Sequence, residues 1–167
     1  MRRLFLFPLF LVGVLFLACS EISCPVQTSV VLNYALRQPI NDFGDSRTDT
    51  LKEGDTLWIW TQRADGKDTL LYNRGISVTS VALPVSGTHP EDMHIFFFAD
   101  STSYVIDTVW VKKEDRPHFE SVDCQAAFFH TITDVRYTHH RIDSVTIHEA
   151  EIDFDDTVSH LYLFLKK

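Results

Sequence analysis

The chain carries eight histidines, and histidine is both the commonest metal ligand and the side chain best suited to moving protons near neutral pH. His139 and His140 are adjacent, so on a strand they point to opposite faces and cannot share one ion without a bulge. His130, His148 and His160 could gather across neighbouring strands into a metal-dependent catalytic site, but no HExxH or His-x-His spacing accompanies them. Such residues more often occupy half-buried polar faces. Glu149, Glu151, Asp153, Asp155 and Asp156 are hard oxygen ligands of the kind calcium takes. They lack the Gly and spaced Glu of an EF-hand loop, so they read as a solvated acidic turn before the last strand. No Gly-x-Ser-x-Gly elbow, P-loop or Gly-x-Gly-x-x-Gly occurs. The expectation is a non-enzymatic protein without metal or cofactor. Trp58 and Trp60 alternate with Leu57, Ile59 and Thr61. Two Trp on one strand face can form a platform for a sugar ring, the basis of a carbohydrate-binding module. More often such a pair fills a sandwich core, where large rings bury the most area, and the core is the expected place.

The three cysteines have different surroundings. Arg2 and Arg3 form a short positive n-region, and Leu4–Ala18 follows without a charged or polar side chain. That run is short of the roughly 20 residues a spanning helix needs. A charged start, an apolar run and a small residue before a break is the pattern of a secretory signal peptide. Phe16-Leu17-Ala18-Cys19 looks like a lipobox, with lipidation on Cys19 and cleavage just before it; an ordinary signal peptide is the alternative. The expected organisation is therefore a lipoprotein signal peptide over 1–18, a short membrane tether over 19–23 and a single domain over 24–167. Ser20, after the lipidated residue, matches the outer-membrane default, and Glu21 is the one acidic residue close behind. The expected location is the outer membrane, lipid-anchored and facing the periplasm. Cys24 and Cys124 remain as an even pair in an oxidising compartment. A disulfide between them would close a loop of about 100 residues, which the chain-entropy model values at up to roughly 4–5 kcal/mol. Two buried thiols are the alternative. With Cys24 pinned, five steps of chain from Cys19 reach at most roughly 17 Å, so the domain would be held against the membrane.

Composition bounds the rest. With 45% hydrophobic and 13% aromatic residues, a chain of this length can bury a core. Net charge is −8, and removing the leader with its two arginines makes the remainder more acidic still. A sequence-independent grip on nucleic acid, which needs a basic surface, is therefore not expected.

No period of 3.6 is sustained over ten residues. Short runs rich in Val, Ile, Thr, Phe, Tyr and Trp recur between Asp, Gly, Pro and Ser. They predict nine strands, near 28–36, 55–63, 68–73, 76–83, 93–99, 103–112, 123–137, 141–148 and 158–166, with little helix. The expected fold is all-β, an antiparallel β-sandwich with an Ig-like or similar Greek key. Asp65-Gly66 between two apolar runs predicts a hairpin closed by a type I′ turn. The segment 141–152 could also mark a short helical face, but Val145 and Ile147 around Thr146 favour a strand. His94-Ile95-Phe96-Phe97-Phe98 is apolar on both faces, as in a strand covered twice or one that meets a partner. Tyr104–Val111 resembles His140–Ile147 through a shared Ile-Asp-Thr/Ser-Val-x-Val/Ile. Asp followed by Thr also precedes the runs at Asp55-Thr56 and Asp68-Thr69. The repeated unit reads as strand-opening chemistry, since Asp and Thr accept backbone N–H bonds at turns.

Several of these features fall together. Cys19, Cys24 five positions on, the aromatic strand after Asp55-Thr56-Leu57, Ala82-Leu83-Pro84, Ile106-Asp107-Thr108, Ser121-x-x-Cys124 and Ile142-Asp143-Ser144 resemble a family of uncharacterised Bacteroidota lipoproteins, classed as a domain of unknown function. The resemblance covers nearly the whole chain after the leader. Its motifs are structural and imply no catalytic residues. It implies one partner beyond the membrane itself, an integral outer-membrane β-barrel protein. An accessory or binding role at the envelope is the expected function.

Overall fold

The structure is a computed structural model that describes residues 29–40, 45–63, 65–119, 121, 124 and 126–166. The leader, Cys19, the tether and Cys24 lie outside the described residues. Among the described residues there are eleven strands and no helix: β1 (Val31–Pro39), β2 (Ser46–Thr48), β3 (Thr56–Gln62), β4 (Asp68–Gly75), β5 (Ser80–Pro84), β6 (Glu91–Ala99), β7 (Tyr104–His118), β8 (Ala127–Tyr137), β9 (Ile142–Ile147), β10 (Glu151–Ile152) and β11 (Leu161–Leu165). No helix among them is long and apolar enough to cross a membrane.

The strands form two sheets of a β-sandwich. The first runs β2–β1–β11–β9, with β5 pairing the same strand β1; the second runs β10–β8–β7–β6–β3–β4. Period-two alternation builds the core, because successive side chains point to opposite faces. Leu32, Tyr34, Leu36, Leu161 and Leu163 of the first sheet meet Leu57, Ile59, Phe96, Phe98, Val109 and Val111 of the second. Each such large apolar side chain contributes about 1.5–3 kcal/mol when fully buried. β1 is buried on both faces from Leu32 to Leu36. Its outward face is covered by the β10–β11 connection, where the Asn33 amide donates to the carbonyls of Asp156 and Val158 at 2.7 and 2.8 Å.

The all-β sandwich matches the reading of the sequence, with four differences of detail. β1 and β11 pair in parallel, Tyr34 opposite Leu161, so the sheets are not wholly antiparallel. Two short strands, β2 and β10, were not expected, since two or three residues leave no periodic signal. β5 begins at Ser80, not 76, because Ser77 adopts a left-handed φ of 52° that ends extended pairing there. β7 continues to His118, past a bulge at Lys112/Lys113, through a charged run that reads as a turn.

The hairpin between β3 and β4 is present with another turn. Gly66 N–H donates to Arg63 O and Arg63 N–H to Lys67 O, both at 2.9 Å. The bond to Arg63 O makes Gly66, with φ 78°, the last residue of the turn and not a central one. A type I′ turn needs positive φ at both central residues. Here one glycine takes the left-handed position and Asp65 Oδ1 instead accepts the Lys67 N–H at 3.1 Å.

Candidate functional site

The outward face of the second sheet is the main candidate. Cross-strand register places Trp58 opposite Phe97, and Phe97 opposite Ile106. The next row holds Leu70, Trp60, Ile95 and Thr108. Beyond it Met93 faces Trp110, which faces Arg136. Directly opposed residues share a face, so these side chains make one continuous surface across β4, β3, β6, β7 and β8. Trp58 and Trp60 therefore do not fill the core. Leu57 and Ile59 do, because they alternate with the two tryptophans and are fully buried. The core expectation for the Trp pair is corrected here.

The surface is aromatic at its centre and charged at one end. Trp58 meets Phe97 edge-on, with centroids 5.6 Å apart, and Phe97 stacks on Tyr104 at 5.2 Å. Tyr104, Ile106 and Leu70 are 66%, 43% and 37% exposed. At the charged end the Arg136 guanidinium lies over the Trp110 ring at 5.2 Å. It also reaches both carboxylate oxygens of Glu91 at 2.9 Å. An apolar expanse rimmed by polar groups is the anatomy of an interaction surface. The run His94–Phe98 resolves accordingly: His94, Phe96 and Phe98 face the core, while Ile95 and Phe97 face outward.

The histidines are dispersed. His130 Nδ1 lies 2.7 Å from Asp115 Oδ1. His160 Nδ1 accepts the Asn33 N–H at 3.0 Å. His148 stacks on Tyr162 at 4.2 Å. His139 and His140 belong to the β8–β9 connection, not to a strand. Among the described residues no three His, Cys, Asp or Glu side chains gather as a metal site. Asp153 and Asp155 form successive turns, their carboxylates accepting the N–H groups of Asp155 and Thr157 at 2.8 and 3.0 Å. Hydrogen bonds from the Thr157 hydroxyl and N–H hold the Asp155 carboxyl below its usual range.

Inward-facing polar residues escaped the sequence reading. Asp107, fully buried in β7, gathers the β8–β9 connection. Its carboxylate accepts the Thr138 hydroxyl at 2.6 Å and the N–H groups of His140, Arg141 and Ile142 at 2.8, 2.6 and 2.8 Å. Burial pushes its pKa up, but these bonds together outweigh burial and hold it low. Asp107 thus stands inside a strand, and Asp143, its counterpart in the self-similar segment, is exposed; the repeat is not one shared strand-opening device. Lys113 is buried with its ammonium on Ser86 O, on His89 O at 2.8 Å and on Asp115 Oδ1 at 2.9 Å. Against burial, hydrogen bonds hold the Asp115 carboxyl low and it can only accept, so His130 Nδ1–H donates to it, while burial pushes the His130 pKa down. The signal was available: Asp92-x-His94-x-Phe96-x-Phe98 is a strand whose inward face becomes polar at one end.

Residues 56–165 match the model of a family of unknown function, DUF6452. The chain belongs to the DUF6452 family. The DUF6452 match runs from β3 to β11 and takes in the whole aromatic face, while β1 and β2 precede it. No curated protein and no solved structure matches the chain.

Proposed function

We propose that this DUF6452 protein is a non-enzymatic accessory protein of the bacterial envelope. It is anchored by lipid on Cys19 and docks through the outer face of its second sheet onto an integral outer-membrane β-barrel protein. The observation that carries the reading is the face itself, with Trp58, Trp60, Ile95, Phe97, Tyr104, Ile106 and Trp110 turned away from the core. Monomeric proteins rarely leave so continuous an apolar surface without a use for it. The resemblance to Bacteroidota lipoproteins, the lipobox-like Ala18-Cys19 break and the short run from Cys19 to Cys24 support a domain held at the outer membrane, facing the periplasm. Cys124 is disulfide-bonded, which supports the Cys24–Cys124 pairing. A membrane-embedded partner follows from the tether: a domain held this close meets integral proteins at high effective concentration.

A second reading, carbohydrate binding by Trp58 and Trp60, draws support from the outward placement of both rings. One experiment separates the two. Chemical crosslinking in native membranes, followed by capture of the protein, is compared for wild type and Ile106→Glu. The substituted position is already exposed, so the fold tolerates the change. Docking predicts a crosslinked outer-membrane barrel protein that is lost in Ile106→Glu. Equal capture by both proteins refutes docking through this face. Retention of glycan binding that Trp58→Ala abolishes would establish the second reading.

A further inference from the structure

A cavity of about 520 Å3 opens at the end of the sandwich where β3 and β6 meet the β5–β6 connection. That volume lies in the range of small-molecule sites. Leu71, Pro84 and Val85 give it apolar wall, and Thr61, Ser86 and Thr88 give it hydroxyls. Asp92 and His94 also line it. They are two positions apart on β6, on one face, and therefore about 7 Å apart along the strand. Both are nearly buried, at 8% and 1% exposure.

Each of these two side chains is half used by the fold. Asp92 Oδ2 accepts the Ser86 N–H at 3.2 Å. His94 Nδ1 lies 2.8 Å from the Tyr34 hydroxyl. Asp92 Oδ1 and His94 Nε2 have no hydrogen-bond partner among the described residues. Nor are they sealed away, for the sealed and unpartnered side-chain atom among the described residues is Arg141 Nε. Water serves this donor and acceptor while the cavity is empty, and a ligand that replaces that water with its own donor and acceptor can bind there.

Their polarity can be assigned. Burial pushes the His94 pKa down to about 4, so the ring is neutral. Tyr34 is fully buried and its hydroxyl has no other partner among the described residues, so it donates to Nδ1. The proton of His94 then resides on Nε2 and points at the cavity. Asp92 offers an acceptor. The three protons of the Lys113 ammonium are taken up by Ser86 O, His89 O and Asp115 Oδ1. Lys113 therefore pins the β5–β6 connection that forms the rim and leaves ligand contact to Asp92 and His94.

We propose that this cavity binds a neutral hydroxylated small molecule of about one sugar ring, with one hydroxyl donating to Asp92 Oδ1, one oxygen accepting from His94 Nε2–H, and its apolar side on Leu71 and Val85. A cation would satisfy Asp92 but offer nothing to the His94 donor. Arg63 is a cation at the exposed rim, but an anion placed between Asp92 and His94 would meet the Asp92 carboxylate, and neutral His94 would give it no counter-charge there. A hydroxylated ring supplies donors and acceptors together without a charge to desolvate. Asp92 and His94 lie on the inward side of β6; Glu91 and Met93 of the outward face reach the cavity's rim, whereas Trp58 and Trp60 do not line it, so the two readings rest on different residues.

The test uses the full chain in detergent and ligand-observed saturation-transfer NMR. The probes are glucose, galactose and mannose, with glycine and glucuronate as charged comparators. At least one neutral hexose should bind. Asp92→Asn should weaken it about tenfold or more, by the loss of a bond to a charged acceptor. Thr88→Trp, at an exposed rim position that leaves the core untouched, should abolish binding by closing the mouth. Trp58→Ala should leave it unchanged. Absence of binding by all three hexoses overturns the proposal. So does hexose binding that survives Thr88→Trp, hexose binding lost in Trp58→Ala, or preferential binding of glycine or glucuronate.

Discussion

Asp107→Asn should destabilise the protein sharply at neutral pH and much less in acid. The wild-type carboxylate collects three backbone N–H groups and a hydroxyl from the β8–β9 connection, at 2.6–2.8 Å. An amide at that position keeps one acceptor oxygen and turns an NH2 group toward donors. Two donors then lose their acceptor, the Thr138 hydroxyl and the His140 N–H in one amide orientation, the Arg141 and Ile142 N–H groups in the other. Each unsatisfied buried donor costs about 1–3 kcal/mol. The connection is open on one side, where the His140 side chain is 68% exposed, so water relieves part of the loss. The expected deficit is about 3 kcal/mol, the lower part of that range summed. The pH dependence has a fixed sign. The folded Asp107 carboxyl is held below its usual value, so its stabilisation is present above the unfolded pKa of about 3.9 and is lost as pH falls through the folded value. Guanidinium denaturation followed by tryptophan fluorescence, at pH 7 and near pH 3, measures both. Asp143→Asn is the internal control. It occupies the matching place in the self-similar segment, is exposed, and should change stability by less than about 0.5 kcal/mol. A deficit for Asp107→Asn below about 1 kcal/mol at pH 7, or one that does not shrink in acid, refutes the reasoning.

Three further outcomes are expected. Cys19→Ala should abolish acylation and move the protein out of the membrane fraction; wild-type protein that takes up no radiolabelled palmitate would contradict the anchor. Reduction should lower the melting temperature by about 10 °C, given a loop of about 100 residues and a domain of this size. Two free thiols by mass analysis of the native protein would contradict the bridge. The His94 ring should stay neutral until pH falls near 4, whereas the unfolded ring titrates near 6.5, so stability should fall as pH drops between those values. NMR titration of the His94 ring checks this, and a midpoint near 6.5 would contradict it.

The sandwich was legible because alternation is a local signal. In β3, Leu57 and Ile59 stand on one side and Trp58 and Trp60 on the other, whichever side faces in. The side itself was not legible: both pairs are apolar, and the register against β6 decides that Leu57 and Ile59 meet Phe98 and Phe96 in the core. Size favoured the tryptophans for burial, and register went against size. The same register made Ile95 and Phe97 outward-facing. Asp107 was legible as a repeated motif but not as a buried cap, because its partners come from about thirty residues further along the chain. The parallel pairing of β1 with β11 left no local trace, since it joins the two ends of the described chain. Asp92 and His94 could have been placed inward from the strand period alone, but their cavity depends on a β5–β6 connection held by Lys113.

The central claim is that the outward aromatic face docks onto an outer-membrane protein. A photoreactive amino acid placed in turn at Tyr104 and Ile106 tests it in living cells, with Arg47 and Asp143, exposed and on the first sheet, as comparison sites. Docking predicts a discrete high-mass adduct with an integral outer-membrane protein from Tyr104 and Ile106 and none from the comparison sites. Adducts of equal yield from all four positions, or none from Tyr104 and Ile106, would contradict it.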